Sequence, residues 1–97
     1  MPDLQITLLA RSDLMDIGRY TQETWGVAQR NSYLGALAHL FEQIASGEVA
    51  GRARSEIREG LFSTRCNRHI VFYRTGANAQ IEVLRVLHER MDFARHF

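Results

Sequence analysis

The end of the chain holds its densest group of residues that could do chemistry. The closing stretch "VLRVLHERMDFARHF" follows an apolar run with a cluster of His88, Glu89, Arg90, Asp92, Arg95 and His96. Imidazole, carboxylate and guanidinium groups together could coordinate a metal, transfer protons or bind a charged partner. Each of these three chemistries makes its own demand on spacing.

Metal binding is the least compatible of the three with this sequence. A zinc site of the H-E-x-x-H type needs two histidines one helical turn apart, and "HERMD" supplies only the first. Cys66 is the only cysteine, which allows no internal disulfide, and its place at the end of an apolar run is typical of a small packing residue. We therefore expect neither a metal nor a cofactor.

Proton transfer by His88 is the second possibility. Its imidazole titrates near neutrality, and a phosphate beside it could be neutralised by Arg65, Arg74, Arg85 and Arg90. These are the parts that an RNA-cleaving site requires. The competing interpretation is structural: His88 ends a strand with a local hydrogen bond, and Arg85 forms a solvated ion pair with Glu82 or Glu89.

The composition is that of one globular domain spanning residues 1–97, with 45% apolar and 24% charged residues. All 12 basic side chains are arginine. Residues 1–50 carry three of them against six acids, and residues 51–97 carry nine against five, so the second half is cationic. With no secretory leader before Leu4 and no apolar run near the roughly 18 residues of a membrane span, we expect a cytoplasmic protein without membrane contact.

The first half predicts a strand followed by two helices. Apolar residues alternate over residues 4–8, which indicates a strand. Ser12 is a suitable N-cap for a helix that ends at Gly26, and Asp13 and Asp16 would then compensate the dipole in its first turn. Such a position favours a structural role for both carboxylates over a catalytic one.

The second helix, over residues 27–46 with Gly47 as its stop, has a broader apolar face than one core needs. One stripe consists of Tyr33, Leu37, Leu40 and Ile44, and a second beside it of Leu34, Ala38, Phe41 and Ala45. The alternatives are that all these residues form core or that part of them forms an exposed groove for an amphipathic partner helix.

The second half predicts a surface loop over residues 47–60 and then three antiparallel strands, "LFSTRC", "HIVFYR" and "QIEVLRVL". Strict alternation along the last strand places Ile81, Val83 and Leu87 on one face and Leu84 and Val86 on the other. A strand apolar on both faces is expected at the centre of a sheet. Asp92 could cap a last helical turn. The predicted class is α+β in the order β-α-α-β-β-β.

Taken together, these residues resemble the ParE toxins of the RelE/ParE superfamily, the toxic halves of type II toxin–antitoxin systems. The similarity covers nearly the whole chain and includes "ARSDLMDIGRYTQETWGVAQRNSYLGAL", "REGLF", "RHIVFYR" and above all "IEVLRVLHERMD". Recurring family positions in the first string are Ala10, Asp13, Leu14, Ile17, Tyr20, Trp25, Gly26, Gln29, Tyr33 and Leu37.

The resemblance implies a helical hairpin packed on an antiparallel sheet. It also implies a ParD-like antitoxin that wraps the hairpin and the sheet in a toxin–antitoxin hetero-oligomer. The antitoxin contacts expected on this basis are Trp25, Tyr33, Leu34, Leu37, Phe41, Arg74 and Arg85. The antitoxin would then cover the extra apolar stripe of the second helix.

ParE toxins typically poison DNA gyrase and are not known as enzymes, so the resemblance implies an inhibitor without catalytic residues or direct sequence-specific nucleic-acid binding. The expected gyrase contacts lie in the cationic half: Arg65, Arg68, His88, Arg90, Arg95 and His96. RelE-like relatives cut messenger RNA on the ribosome with lysines, arginines and a late tyrosine or histidine. This chain has no lysine and ends in Phe97, which favours the gyrase alternative. A third hypothesis is a non-toxic module that only co-represses with its antitoxin.

Overall fold

The computed structural model describes residues 4–97 and has two helices packed on one face of a mixed sheet. The strand β1 (Leu4–Ile6) leads into the helices α1 (Leu8–Trp25) and α2 (Val27–Ser46). Four further strands follow: β2 (Arg52–Ala53), β3 (Phe62–Cys66), β4 (His69–Thr75) and β5 (Ile81–His88). Short 3-10 turns occupy Ala77–Ala79 and Phe93–His96.

The sheet has the order β1-β5-β4-β3-β2, so β5 is a central strand as predicted. The strands β2 to β5 pair antiparallel in succession, whereas β1 pairs parallel with β5, because the helical hairpin carries the chain back before the meander begins. The fifth strand, β2, lies within the segment that was predicted to be loop. A strand of two residues is too short to show a periodic pattern in the sequence.

The predicted start of α1 at Ser12 is wrong. Thr7 is the N-cap: its hydroxyl accepts a hydrogen bond from the Ala10 amide at 3.1 Å and donates one to the Leu84 carbonyl at 2.8 Å. Leu8, expected on the strand, opens the helix with 84% of its surface exposed. The helix therefore starts earlier than predicted, and Asp13 lies beyond its first turn, where it makes the tertiary contacts described below.

The two helices are joined by a single residue, Gly26, whose φ of 93° lies in the region that glycine adopts without strain. Gly47 ends α2 as predicted, in the left-handed conformation, with its amide bonded to the last turn. A one-residue connection requires the helices to run back along each other, which confirms the predicted hairpin.

The main core lies between the hairpin and the sheet. α2 contributes four buried residues to it, Leu37, Leu40, Phe41 and Ile44. These four come from both of the predicted stripes, but in the second stripe only Phe41 is buried, Leu34 and Ala45 are partly exposed and Ala38 is exposed. The extra stripe is therefore core in part and open to solvent in part. Residues of both stripes are buried because the helix faces the sheet on one side and α1 on the other, where Leu34 packs within 3.2 Å of the position that a Cβ on Gly18 would occupy.

A second, smaller core covers the opposite face of the sheet. Leu61, Ile70, Phe72 and Leu87 are buried there, and the C-terminal turn closes over them. The rings of Phe93 and Phe97 both meet the fully buried Phe72 edge-on, with centroids 5.0 and 5.1 Å away. The tail is therefore a structural cover of the sheet.

A β-bulge in β5 overturns the predicted distribution of its side chains. Phe72 pairs with Arg85, but the next residue, Tyr73, pairs with Val83, which leaves Leu84 as an extra residue. Val83 and Val86 consequently share the helix-side core, and Leu84 packs with Leu87 on the opposite side. Strict alternation had placed Val83 on one face with Leu87, and Leu84 on the other face with Val86.

Candidate functional site

A cleft of about 730 Å³ opens between the helical hairpin and one end of the sheet. One wall is the face of α1 and α2, and the other comes from the turn between β3 and β4 and from the end of β5. We call it the histidine cleft, and its lining residues are Asp16, Ile17, Tyr20, Thr21, Trp25, Gln29, Tyr33, Asn67, Arg68, His69, His88, Arg90 and Met91. Its volume is within the range of ligand-binding pockets.

Large apolar side chains at the rim of the histidine cleft are exposed to solvent. Trp25 is 70% exposed, Tyr20 is 67% exposed and Met91 is 46% exposed. Tyr20 flanks the buried stripe of Ile17 and Thr21, whereas Trp25 continues that stripe at the last residue of α1 and lines the cleft there. Exposed aromatic and Met side chains gathered at one cleft are typical of protein-binding surfaces.

Two histidines meet at the base of the cleft. His69 on β4 and His88 on β5 are directly paired across the strands, and their rings pack edge to face with centroids 5.3 Å apart. The Tyr33 hydroxyl lies 2.6 Å from His69 Nδ1. Burial raises the pKa of Tyr33, so the phenol stays protonated and can donate to that nitrogen. Burial, reinforced by the adjacent His88, lowers the pKa of His69.

These hydrogen bonds determine what the imidazoles can do. The Arg90 amide donates to His88 Nδ1 at 3.1 Å, and the Tyr33 hydroxyl, which donates to the Cys66 carbonyl at 3.4 Å, shares a hydrogen bond with the same nitrogen of His69. With Nδ1 used as an acceptor, His88 carries a proton on Nε2, and that nitrogen cannot then serve as a metal ligand. Within residues 4–97, no three His, Cys, Asp or Glu side chains are grouped to hold a metal ion.

The charged groups beside the cleft are unequally paired. Glu89 accepts a hydrogen bond from Arg65 at 2.7 Å, which lowers the pKa of its carboxyl, whereas the nearest guanidinium nitrogen of Arg68 is 3.9 Å away. Among the described residues, Arg90 has no acidic partner within ion-pair distance. Arg68 and Arg90 are therefore the cations that remain available to a ligand.

The structure brings together only some of the predicted gyrase contacts. Arg68, His88 and Arg90 line the histidine cleft, and Arg65 adjoins it through Glu89. Arg95 and His96 lie in the C-terminal turn, next to the phenylalanines that cover the second core. The predicted set is therefore divided between two locations.

The predicted antitoxin contacts also separate. Trp25 and Tyr33 line the histidine cleft, and Leu34 lines a shallow groove between the two helices. Leu37 and Phe41 are core residues, so their side chains cannot reach a partner from where they lie. The remaining two, Arg74 and Arg85, are held in ion pairs with Glu82 and Asp13 at 2.7 and 2.8 Å. The expected pairing of Arg85 with Glu82 or Glu89 is wrong.

Sequence reasoning missed His69 and Met91 as site residues. Near the β4–β5 turn, Tyr73 lies opposite Val83. If this register continued without a bulge, His69 would lie opposite Leu87. The bulge moves the register by one residue and sets His69 opposite His88. The juxtaposed histidines thus depend on a feature that alternation alone could not predict.

Comparison with known proteins shows the family. A sequence model described as the ParE toxin of the type II toxin–antitoxin system parDE matches residues 4–93. The chain belongs to the ParE toxin family. It is 39% identical to Toxin ParE1 of Mycobacterium tuberculosis over 87 residues, covering 90% of this chain and 89% of the relative. It is 33% identical to Toxin ParE1 of Caulobacter vibrioides over 96 residues, covering 99% and 98%.

The fold of this ParE toxin is shared by a solved structure. The chain superposes with a TM-score of 0.77 on a chain of a structure titled "Chromosomal ParDE TA system from P. aeruginosa", at 18% identity and covering 91% and 96% of the two chains. The resemblance inferred from the sequence is thereby confirmed for family and fold. Neither helix among the described residues has the length and apolarity to cross a membrane.

Proposed function

We propose that this ParE toxin acts in the cytoplasm as a non-enzymatic inhibitor of DNA gyrase and is neutralised by a ParD-like antitoxin in a hetero-oligomer. The single observation that carries the proposal is the exposed rim of the histidine cleft, which Tyr20 and Trp25 line on the helix side and Arg90 lines on the sheet side. Aromatic side chains and arginine are the residue types that dominate the binding energy of protein interfaces. A toxin that acts by binding needs such a surface.

Support for the antitoxin comes from the helical hairpin. Trp25, Tyr33 and Leu34 give its outer surface partly exposed apolar area that this chain does not cover itself. A segment of a partner laid along these residues would bury that area. The fold neighbour, which belongs to a ParDE system, is consistent with such a partner. Leu37 and Phe41 are left out of the proposed surface because they are core.

The direct test is a gyrase assay with purified toxin. We expect inhibition of supercoiling and accumulation of cleaved DNA, with relief of both by a co-purified antitoxin. Arg90→Gln should weaken the inhibition, because it removes a free cation from the cleft rim. Arg95→Gln is the matched control, since it removes an exposed arginine on the C-terminal turn. Full gyrase activity at toxin concentrations that stop growth would refute the proposal.

Ribosome-dependent cleavage of messenger RNA is the second candidate, and one observation favours it. Two imidazoles 5.3 Å apart lie beside Arg68 and Arg90, which resembles an acid–base pair next to phosphate-binding cations. Cleavage of ribosome-bound message by the wild-type toxin, lost in His88→Gln while gyrase stays unaffected, would establish this activity instead. If neither assay responds and expression leaves growth unchanged, the co-repressor hypothesis is favoured.

A further inference from the structure

We propose that the histidine cleft is a carboxylate-binding site, and that its occupant is a peptide segment that places acidic side chains against the histidines and an apolar side chain against Trp25. The inference deepens the proposed function and rests on it only for the identity of the protein that supplies the peptide. It concerns the chemistry of the occupant, which the positions of donors and apolar groups determine.

The sheet-side wall of the cleft presents donors. His88 uses Nδ1 as an acceptor for the Arg90 amide, so it offers a proton on Nε2, and His69 binds the Tyr33 hydroxyl through Nδ1, which leaves its own Nε2 outside that hydrogen bond. Every buried side-chain nitrogen or oxygen in the described part of the chain has a hydrogen-bond partner, so these two Nε2 atoms, which have none, are open to solvent. The Nε2–H group of His88 can be approached by an anionic group from the cleft, which His88 lines.

Two cations reinforce this wall. Arg68 lies 3.9 Å from Glu89, whose charge is already engaged by Arg65 at 2.7 Å, and Arg90 has no acidic partner among residues 4–97. Guanidinium groups bind carboxylates through two parallel hydrogen bonds, which are stronger than neutral ones. The imidazole N–H of His88 and the guanidinium groups of Arg68 and Arg90 together make this wall selective for anions.

The helix-side wall has a different character, and it favours a peptide over a nucleic acid. It combines buried Ile17 with exposed Tyr20 and Trp25, and it carries a carboxylate of its own, Asp16, which is 70% exposed. A polynucleotide gains most of its affinity from cations that follow its phosphates, and no cation is among the helix residues that line the cleft. A peptide can direct its carboxylates to one wall and an apolar side chain to the other.

The experiment is a titration of the full-length toxin with two synthetic peptides, acetyl-Asp-Glu-Phe-Leu-Glu-amide and its amide counterpart, acetyl-Asn-Gln-Phe-Leu-Gln-amide. The chain contains one tryptophan, so the fluorescence of Trp25 reports directly on the rim. Imidazole NMR signals of ¹⁵N-histidine-labelled toxin report on the base. His39 on α2 and His96 on the C-terminal turn lie outside the cleft and serve as internal controls.

We expect the acidic peptide to shift the signals of His69 and His88 and to change the emission of Trp25, with His39 and His96 unmoved. Arg90→Gln should weaken this binding about tenfold, as expected for the loss of one charge-assisted hydrogen bond, and Arg95→Gln should leave it unchanged. Retained chemical-shift dispersion of each variant shows that it is folded.

Equal binding of the two peptides would overturn the proposal, as would shifts at all four histidines. Tighter binding of a ten-residue thymidine oligonucleotide would overturn it in favour of a nucleic-acid site. The result is separable from the gyrase assay. Inhibition of gyrase without peptide binding refutes only the carboxylate site, whereas peptide binding by a toxin inert on gyrase refutes only the proposed target.

Discussion

Asp13 on α1 accepts two hydrogen bonds from the guanidinium group of Arg85 on β5, at 2.8 and 2.9 Å, and a third from the Val86 amide at 3.0 Å. The two side chains are only 13% and 16% exposed. Val86 follows Arg85, which is the residue next to the bulge, and the amide of Val86 thus donates a hydrogen bond to a side chain of α1. The contact fixes α1 to the position on β5 where the strand register changes.

Asp13→Asn should lower the free energy of unfolding by about 3 kcal/mol, because it leaves the guanidinium group of Arg85 largely buried without its counter-charge. Urea unfolding followed by circular dichroism measures the difference. Asp16→Asn is the control, since the 3.4 Å pair of Asp16 with Arg19 is exposed, and it should stay within about 0.5 kcal/mol of wild type. Equal costs for the two variants would contradict the structural role of Asp13.

Gly51→Ala should destabilise the fold by about 1 to 3 kcal/mol through a direct clash. A Cβ at this position would lie 2.0 Å from the hydroxyl oxygen of Tyr73 and 2.7 Å from its Cζ, and Tyr73 is buried in the main core. Gly35→Ala is the opposite case, because nothing lies within 4 Å of its Cβ position in the middle of α2. It should stabilise the protein by up to about 1 kcal/mol. Thermal unfolding of both variants tests the contrast.

Phe93→Ala should cost about 2 kcal/mol, because the ring covers the buried Phe72 and lies 5.4 Å below the guanidinium carbon of Arg54. Arg95→Ala, in the same turn, should have little effect on unfolding because its side chain is exposed. Deletion of the whole tail after Leu87 would therefore damage the fold together with any target contact. If Phe93→Ala unfolds like wild type, the tail is not a structural cover.

The order of elements could be predicted from periodicity because each long element repeats its pattern several times. The two helices, the three meander strands and the central place of β5 are of this kind. What could not be predicted depends on single residues: Thr7 in place of Ser12 as the N-cap, the extra residue Leu84, and the two-residue strand β2. A single hydrogen bond, a single inserted residue or a pair of residues produces each of these features, and none of them changes the spacing of apolar residues in the surrounding sequence.

The same limit applies to the site. Arginines and histidines near the C-terminus could be identified as candidates from residue type, but the division of the set required the tertiary structure. Arg95 and His96 follow Arg90 closely in sequence, yet the turn at Phe93–His96 carries them onto the cover of the second core. Trp25 was expected as a partner contact from the family resemblance, but Tyr20 stands out as a site residue only when the buried side of α1 is known.

The stability of the toxin should depend on pH through His69. Burial and the adjacent His88 lower its pKa, and the weaker opposing effects of Glu89 and Asp13 do not reverse the direction. The unfolded chain, in which the imidazole has its ordinary pKa of about 6.5, therefore binds more protons as the pH falls below that value. The stabilisation from the neutral ring is fully present above about pH 6.5 and is lost as the pH falls toward the lower pKa of the folded state.

His69→Gln should remove this loss while keeping an acceptor for the Tyr33 hydroxyl. We expect the urea midpoint of the wild type to fall more than that of His69→Gln between pH 7.5 and about 5, and His39→Gln, on the exposed side of α2, to follow the wild type. Parallel pH profiles for wild type and His69→Gln would contradict a neutral, buried His69.

Exposure separates binding residues from core residues on the helical hairpin. Trp25→Ala should leave the unfolding midpoint nearly unchanged, because 70% of the side chain already faces solvent, and should weaken antitoxin binding at least tenfold if the residue is a partner anchor. Leu37→Ala should instead cost about 2 to 5 kcal/mol of stability, because its side chain is fully buried. Calorimetric titration with purified antitoxin, run beside thermal unfolding of each variant, distinguishes the two effects. If Trp25→Ala leaves the antitoxin affinity unchanged, the rim of the cleft is not part of the interface. If Leu37→Ala is stable but binds the antitoxin more weakly, Leu37 on α2 contacts the antitoxin after all.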